Sequence, residues 1–242
     1  MRLLADCGNS TLKLGLAHGG GVWLHERVAP DEESLDRFLA AHRDTVSGLA
    51  ILPGSRAHGE LVERWWRRVG GGRPVQVVGR DIRVPEAGQY PGFGLDRLAA
   101  GLVACAQEHA AVVVVDAGTA TTFTAWARVE DAARLVGGLI LPGARACIAG
   151  LAAQAPALPA VEPRFDAATA CQRDTPGAIG AAVGIGYPAM VGACLERLKR
   201  DSGIDRVVVT GGAAAPLLGT VVPRQAYRPA LVLEGIELLC RA

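Results

Sequence analysis

At 242 residues the chain has room for one large domain or two small ones with proper cores. Half of it is apolar, only 5% is aromatic, and a net charge of +1 gives no electrostatic reason to expect nucleic acid or acidic membranes. Its six cysteines are scattered without a Cys-x-x-Cys pair, which excludes the usual zinc and disulfide frameworks and suggests reduced cytosolic thiols.

The opening reads as hairpins: strand Arg2–Asp6, a Gly turn, strand Leu12–Ala17, Gly19-Gly20-Gly21, then strand Val22–Val28. Pro30-Asp31-Glu32-Glu33 starts a helix to about Arg43, with acidic residues in its first turn. Strand Gly48–Leu52, an amphipathic helix Glu60–Val69 and strand Val75–Val78 follow. Leu61, Trp65 and Val69 form the core stripe of that helix, so Arg64-Trp65-Trp66-Arg67-Arg68 is a solvated basic face over a buried one rather than a nucleic-acid site. A loop rich in Pro and Gly leads to Asp96-Arg97 and a helix from Leu98 to about His109.

The second half then restarts. Strands Ala111–Asp116, Thr121–Val129 and Leu135–Leu141 precede helices around Ala144–Ala153 and Ala178–Arg200. Strand Val207–Val209 runs into Thr210-Gly211-Gly212, and Leu231–Cys240 is a closing helix. Strands followed by alternating helices and strands, seen twice, predict two α/β domains, residues 1–108 and 109–242, with a ligand crevice between them. Residues 176–195 carry no charge, yet their Gly and Ala content and Pro188 fit a packed core helix better than a membrane span. No export signal is visible, so a soluble cytoplasmic protein is expected.

The chemistry gathers at turns. Asp6-Cys7-Gly8-Asn9-Ser10-Thr11 and Asp116-Ala117-Gly118-Thr119-Ala120-Thr121-Thr122 each end an apolar strand in Asp, then turn on Gly among small hydroxyl residues. Such an Asp can hold Mg²⁺ while the turn's N–H groups face phosphate oxygens. One copy alone is equally well an Asx-turn in a hairpin; the pair favours phosphate handling. Lys13 and Lys199 are the only lysines, so a Lys just after the first turn suits a nucleotide phosphate, or is a solvated strand residue. In Tyr90-Pro91-Gly92-Phe93-Gly94-Leu95-Asp96-Arg97, Asp96 could take a proton from a hydroxyl and Arg97 could grip a carboxylate. Taken alone, that segment reads better as Asp96 capping the following helix with Arg97 solvated. No Gly-x-x-x-x-Gly-Lys-Ser/Thr loop exists, and Gly184-x-Gly186-x-x-Ala189 lies in a helical stretch rather than after a strand.

In order, these elements resemble type III pantothenate kinase, of the actin-like, sugar-kinase and Hsp70 ATPase superfamily. The resemblance runs from Asp6-Cys7-Gly8-Asn9-Ser10 through Gly94-x-Asp96-Arg97, Asp116-x-Gly118-Thr119-Ala120-x-Thr122, Gly137-Gly138-Leu139-Ile140-Leu141-Pro142-Gly143 and Thr210-Gly211-Gly212 to Leu233-Glu234-Gly235. It implies two ribonuclease-H-like (actin-like ATPase) domains with an interdomain active-site cleft, and phosphorylation of pantothenate by ATP. Asp6, Cys7, Gly8, Asn9, Ser10, Thr11, Leu12 and Lys13 would then bind ATP, with Asp6 serving its Mg²⁺, and Thr119 would add an ATP contact. Tyr90, Gly94, Leu95, Asp96, Arg97 and Thr175 would bind pantothenate, with Asp96 the proton acceptor. Asp116 would hold a monovalent cation, K⁺ or NH₄⁺, and the protein would be a homodimer. Ser10 stands where Thr is commoner and Phe93 where Leu is usual, and the pattern fades beyond Thr175. Two other readings stand beside this one: an accessory regulator acting through a protein partner, and a kinase of another small hydroxylated substrate.

Overall fold

The computed structural model describes residues 1–241. The first sheet is built from β1 (Arg2–Cys7), β2 (Leu12–His18), β3 (Gly21–Val28), β4 (Gly48–Leu52) and β5 (Val75–Val77), in the order β3-β2-β1-β4-β5. Strands β1 and β2 are antiparallel, as are β2 and β3, whereas β1 runs parallel to β4 and β4 to β5. Leu3 to Cys7 and Gly48 to Leu52 are buried throughout, as expected of central strands covered on both faces. Helix α1 (Glu32–Ala40) is capped by Asp31, whose carboxylate accepts from Ser34 N at 2.8 Å. Helix α2 (Arg56–Val69) is capped by Ser55 and starts four residues before the expected Glu60. Its buried face is Val62, Trp65 and Trp66, with Leu61 and Val69 only half-buried, so the core stripe is rotated from the predicted one. Trp65 Nε1 donates to Asp36 Oδ1 at 2.8 Å and Trp66 Nε1 to Arg73 O at 3.1 Å, which satisfies both indoles. Helix α3 (Leu95–Glu108) follows.

The second sheet repeats this order with one strand fewer. Its strands β6 (Val112–Ala117), β7 (Ala120–Val129), β8 (Ala132–Pro142) and β9 (Val207–Thr210) lie in the order β8-β7-β6-β9. Strand β6 is antiparallel to β7 and parallel to β9. Tyr227 forms a single parallel bridge to Val209, and Arg228 N donates to Val209 O at 2.7 Å, at the place where β5 stands in the first sheet. Both sheets therefore have the ribonuclease-H-like arrangement.

Helices α4 (Ala144–Gln154) and α5 (Thr175–Ser202) complete this unit. Helix α5 begins on the Asp174 cap with Pro176 in its first turn and ends at Gly203, in the left-handed region at φ 70°. The segment around Arg164 crosses α5 at Gly180 and Gly184, where a Cβ on Gly184 would strike the Arg164 carbonyl. This contact explains Gly184, the first glycine of the dinucleotide-fingerprint mimic. By length and composition α5 could cross a membrane, and only 39% of its most apolar window is buried, so the expectation of a core helix holds for one face alone.

The last helix, α6 (Leu231–Leu239), packs on α3 and β1. Its Gly235 admits the Ala99 carbonyl of α3, which any Cβ would strike. The chain divides into two compact units: residues 1–109, 128–134 and 230–242 form one, and residues 110–127 and 135–229 the other.

Candidate active site

In the first unit, the parallel strands β1, β4 and β5 point their C-terminal ends the same way, the edge where open α/β sheets hold ligands. Asp6 lies near the end of β1, 6% exposed, opposite Lys13 in the β1–β2 register. Lys13 Nζ is 3.5 Å from Asp6 Oδ2, an ion pair with both side chains largely shielded from water. A single buried carboxylate paired with a lysine suits a magnesium ion held mainly by nucleotide phosphates and water. Among the described residues no group of three or more His, Cys, Asp and Glu could hold a metal ion.

Between β1 and β2 the chain turns through Gly8-Asn9-Ser10-Thr11, with Asn9 and Ser10 exposed. The Cys7 and Leu12 side chains are fully buried in the core, so these two positions can offer a ligand only backbone atoms. Burial, reinforced by the Asp6 charge, pushes the Cys7 thiol up to about 12. The turn rests on the start of α2: Ser55 N donates to Cys7 O at 2.6 Å, and His58 Nδ1 lies 2.6 Å from Gly8 O.

The Tyr90–Arg97 segment shapes a second set of groups in this unit. Pro91 and Gly92, the latter at φ 81°, make a turn in which Phe93 N donates to Tyr90 O at 3.0 Å. Tyr90 and Phe93 meet edge to face at 5.3 Å, and the Arg97 guanidinium lies over the Phe93 ring at 4.1 Å. Arg97 Nη1 also donates to Tyr90 OH at 3.2 Å. Gly94 is the N-cap of α3 and makes no side-chain cap, and Asp96 sits in the first helical turn rather than at the cap. A Cβ on Gly94 would strike Asp96 Oδ1 and come within 3.3 Å of Arg97 Nε, so both side chains fold back across the glycine. This is the physical reason for glycine two residues before the Asp-Arg pair. A Cβ on Gly79, just past β5, would lie 3.7 Å from Leu95 Cδ1, which places the start of α3 on the same sheet edge as the first turn.

In the second unit Asp116 is the penultimate residue of β6, half-buried, and is flanked in register by Thr122 of β7 and Thr210 of β9. Residues paired in register share a face of the sheet, so the three side chains stand together. Thr210 Oγ1 is fully buried with no hydrogen-bond partner. A buried orphan hydroxyl beside a carboxylate is a standing oxygen ligand, so these residues fit a monovalent cation. Gly211, at φ 95°, packs where a Cβ would strike Ala117 O and Asp116 Oδ1, and Ala213 N donates to Ala117 O at 2.9 Å. Gly143 packs likewise on the carbonyls of Gly118 and Thr119, and its N–H donates to Thr119 O at 3.0 Å. Thr119 itself is exposed, and Thr175 is exposed at the start of α5.

Two residues beside these turns escaped the sequence reading. Tyr187 of α5 is fully buried, its hydroxyl 2.6 Å from Thr121 Oγ1. Burial pushes its phenol up against the pull of that hydrogen bond, with the Cys147 and Asp116 charges adding to the rise. One tyrosine in an uncharged helical run gave no signal. His58 fell outside the expected helix, and its only signal is the Gly54-Ser55 helix start three residues before it.

A family profile described as type III pantothenate kinase matches residues 2–197. The type III pantothenate kinase of Desulfovibrio desulfuricans is 31% identical over 260 residues, covering 98% of this chain and 95% of its own. That of Halorhodospira halophila is 31% identical over 257 residues, covering 98% and 96%. Among solved structures, a Campylobacter jejuni protein proposed as a Baf family transcriptional activator aligns at TM-score 0.55 and 20% identity, over 99% of this chain and 97% of its own. The ethanolamine utilization protein EutJ of Carboxydothermus hydrogenoformans aligns at TM-score 0.52 and 14% identity, over 98% and 89%. At those identities the two structures bear on the fold alone.

Proposed function

The chain belongs to the type III pantothenate kinase family, and we propose on that premise that it transfers the γ-phosphoryl group of ATP to pantothenate, giving 4'-phosphopantothenate on the way to coenzyme A. The observation that carries this reading to the residues is the repeated Asp-Gly turn ending the central strand of each sheet. In it the pantothenate hydroxyl oxygen attacks the γ-phosphorus, the bond to the ADP oxygen breaks, and Asp96 takes the hydroxyl proton. Arg97 anchors the substrate carboxylate; a guanidinium has five N–H donors, and Tyr90 OH engages one of them.

On the nucleotide side, Asp6 to Lys13 receive the phosphates, with Asp6 towards the divalent ion, whose charge offsets that of the phosphates. Thr119 contributes a further nucleotide contact and Thr175 a pantothenate contact. Asp116, with the Thr210 hydroxyl beside it, holds K⁺ or NH₄⁺. The protein works as a cytoplasmic homodimer in this reading. The half-exposed apolar side of α5, with Ile185 at 50% and Met190 at 40%, supports a covered face there. Residues 1–108 and 109–242 each carry one copy of a duplicated sheet, supported by the shared strand order, with α6 of the second half returning to the first unit.

Incubation with MgATP and pantothenate, followed by ³¹P NMR, is expected to yield ADP and a phosphomonoester in equal amounts. Inorganic phosphate in place of the monoester would refute the transfer.

A further inference from the structure

The first turn is held from behind. Ser55 N donates to Cys7 O at 2.6 Å, and His58 Nδ1 is 2.6 Å from Gly8 O. Gly54 completes the contact, since a Cβ there would come within 2.9 Å of Cys7 O and wedge the helix start away. A carbonyl oxygen only accepts, so Nδ1 of His58 carries the proton and donates.

The consequence lies on the other side of the peptide. In a trans peptide unit the C=O and N–H point in opposite directions, and no cis bond occurs among the described residues. With the Cys7 and Gly8 carbonyls both turned to α2, the N–H groups of Gly8 and Asn9 are turned away from it. Successive N–H groups aimed together form an anion-binding concavity. Without the imidazole, a peptide adjoining glycine has conformational freedom to swing its carbonyl round. That would present a partial negative charge where a phosphate oxygen has to sit.

We propose that His58 is a positioning residue for the nucleotide: it locks the Gly8–Asn9 peptide so that its N–H faces the ATP phosphates. The proposal rests on the reading of residues 6–13 as the phosphate turn. His58 touches neither substrate in this role; it acts through the backbone of Gly8.

The test compares His58→Leu, which keeps bulk and removes the donor, with His58→Asn, whose amide N–H can stand near Nδ1. The His58→Leu variant is expected to raise the KM for ATP about tenfold or more, leave the KM for pantothenate unchanged and lower kcat less, and His58→Asn to restore most of the loss. Equal KM increases in both variants, or an unchanged KM for ATP in His58→Leu, would overturn the proposal. The turn reading is checked separately on the wild type, where the ¹⁵N–H resonances of Gly8 and Asn9 should shift on adding MgATP. Absence of that shift sinks the turn reading and the proposal with it; a shift with an unaffected His58→Leu variant sinks the proposal alone. Should His58→Leu fail to fold, long-range ¹H–¹⁵N spectra of the wild type still decide. Protonated Nδ1 supports the lock, and a bare Nδ1 with protonated Nε2 overturns it.

Discussion

Asp96 is held by its neighbours' smallness as much as by its own chemistry. Its carboxylate folds over Gly94, and the Arg97 side chain that follows is stacked on Phe93 and tied to Tyr90. Replacing Asp96 by Asn keeps the shape and removes the proposed proton acceptor. Turnover should fall by about a hundred-fold or more while ATP binding persists, measured by steady-state kinetics beside calorimetric titration with ATP. The Asp-Arg pair was legible as a motif, but its place was not. The sequence suggested a helix from Leu98, because Gly94 gives no Ser or Asp cap signal, and the helix in fact begins at Leu95. Cys7 behaves differently: its fully buried thiol rises from 9.0 to about 12, so the neutral thiol is the form the fold favours. That contribution is fully present below the unfolded thiol's pKa of 9.0 and is lost as pH rises through the folded value of about 12. Urea midpoints of the wild type should therefore fall towards those of Cys7→Ala between pH 9.0 and about 12, and parallel curves would count against it.

At the scale of elements, the buried strands were the easiest to read and the helix starts the hardest. Runs such as Leu3 to Ala5 and Val112 to Val115 are apolar on both faces, and their bounding turns mark them as strands. The α2 start was hidden because Arg56, Ala57, His58 and Gly59 carry no apolar period, although Ser55 caps them. That missed turn is the one holding His58 against Gly8, so a misplaced boundary concealed a functional contact. Helix α5 offers a sharp test of the packing account through two glycines on one helix. Gly184 faces the Arg164 carbonyl, whereas a Cβ on Gly186 meets nothing within 4 Å. Gly184→Ala should cost about 1–3 kcal/mol through overpacking, and Gly186→Ala should gain up to about 1 kcal/mol from helix propensity. Urea denaturation of both variants checks the opposite signs.

For the whole molecule, two sheets of the same strand order carry two sets of turns, proposed above to have separate tasks. The order of motifs along the chain was legible at once, because each turn follows an apolar strand. What the sequence did not reveal is that the closing helix α6 returns to the first unit and packs on α3 through Gly235, a tertiary contact with no local signature. Gly235→Ala should therefore lower the unfolding midpoint of that unit markedly, since the Ala99 carbonyl occupies the space a methyl needs. MgATP binding the folded state alone should raise the midpoint of the wild type, by an amount equivalent to about 2.7 kcal/mol at a hundred-fold excess over Kd. The kinase assignment itself is tested most directly by the initial rate of ADP formation from MgATP, with and without pantothenate, in potassium or ammonium and in sodium. The account predicts ADP formation that requires pantothenate and is faster in potassium or ammonium. ADP formation indifferent to pantothenate, or none in any cation, would contradict it.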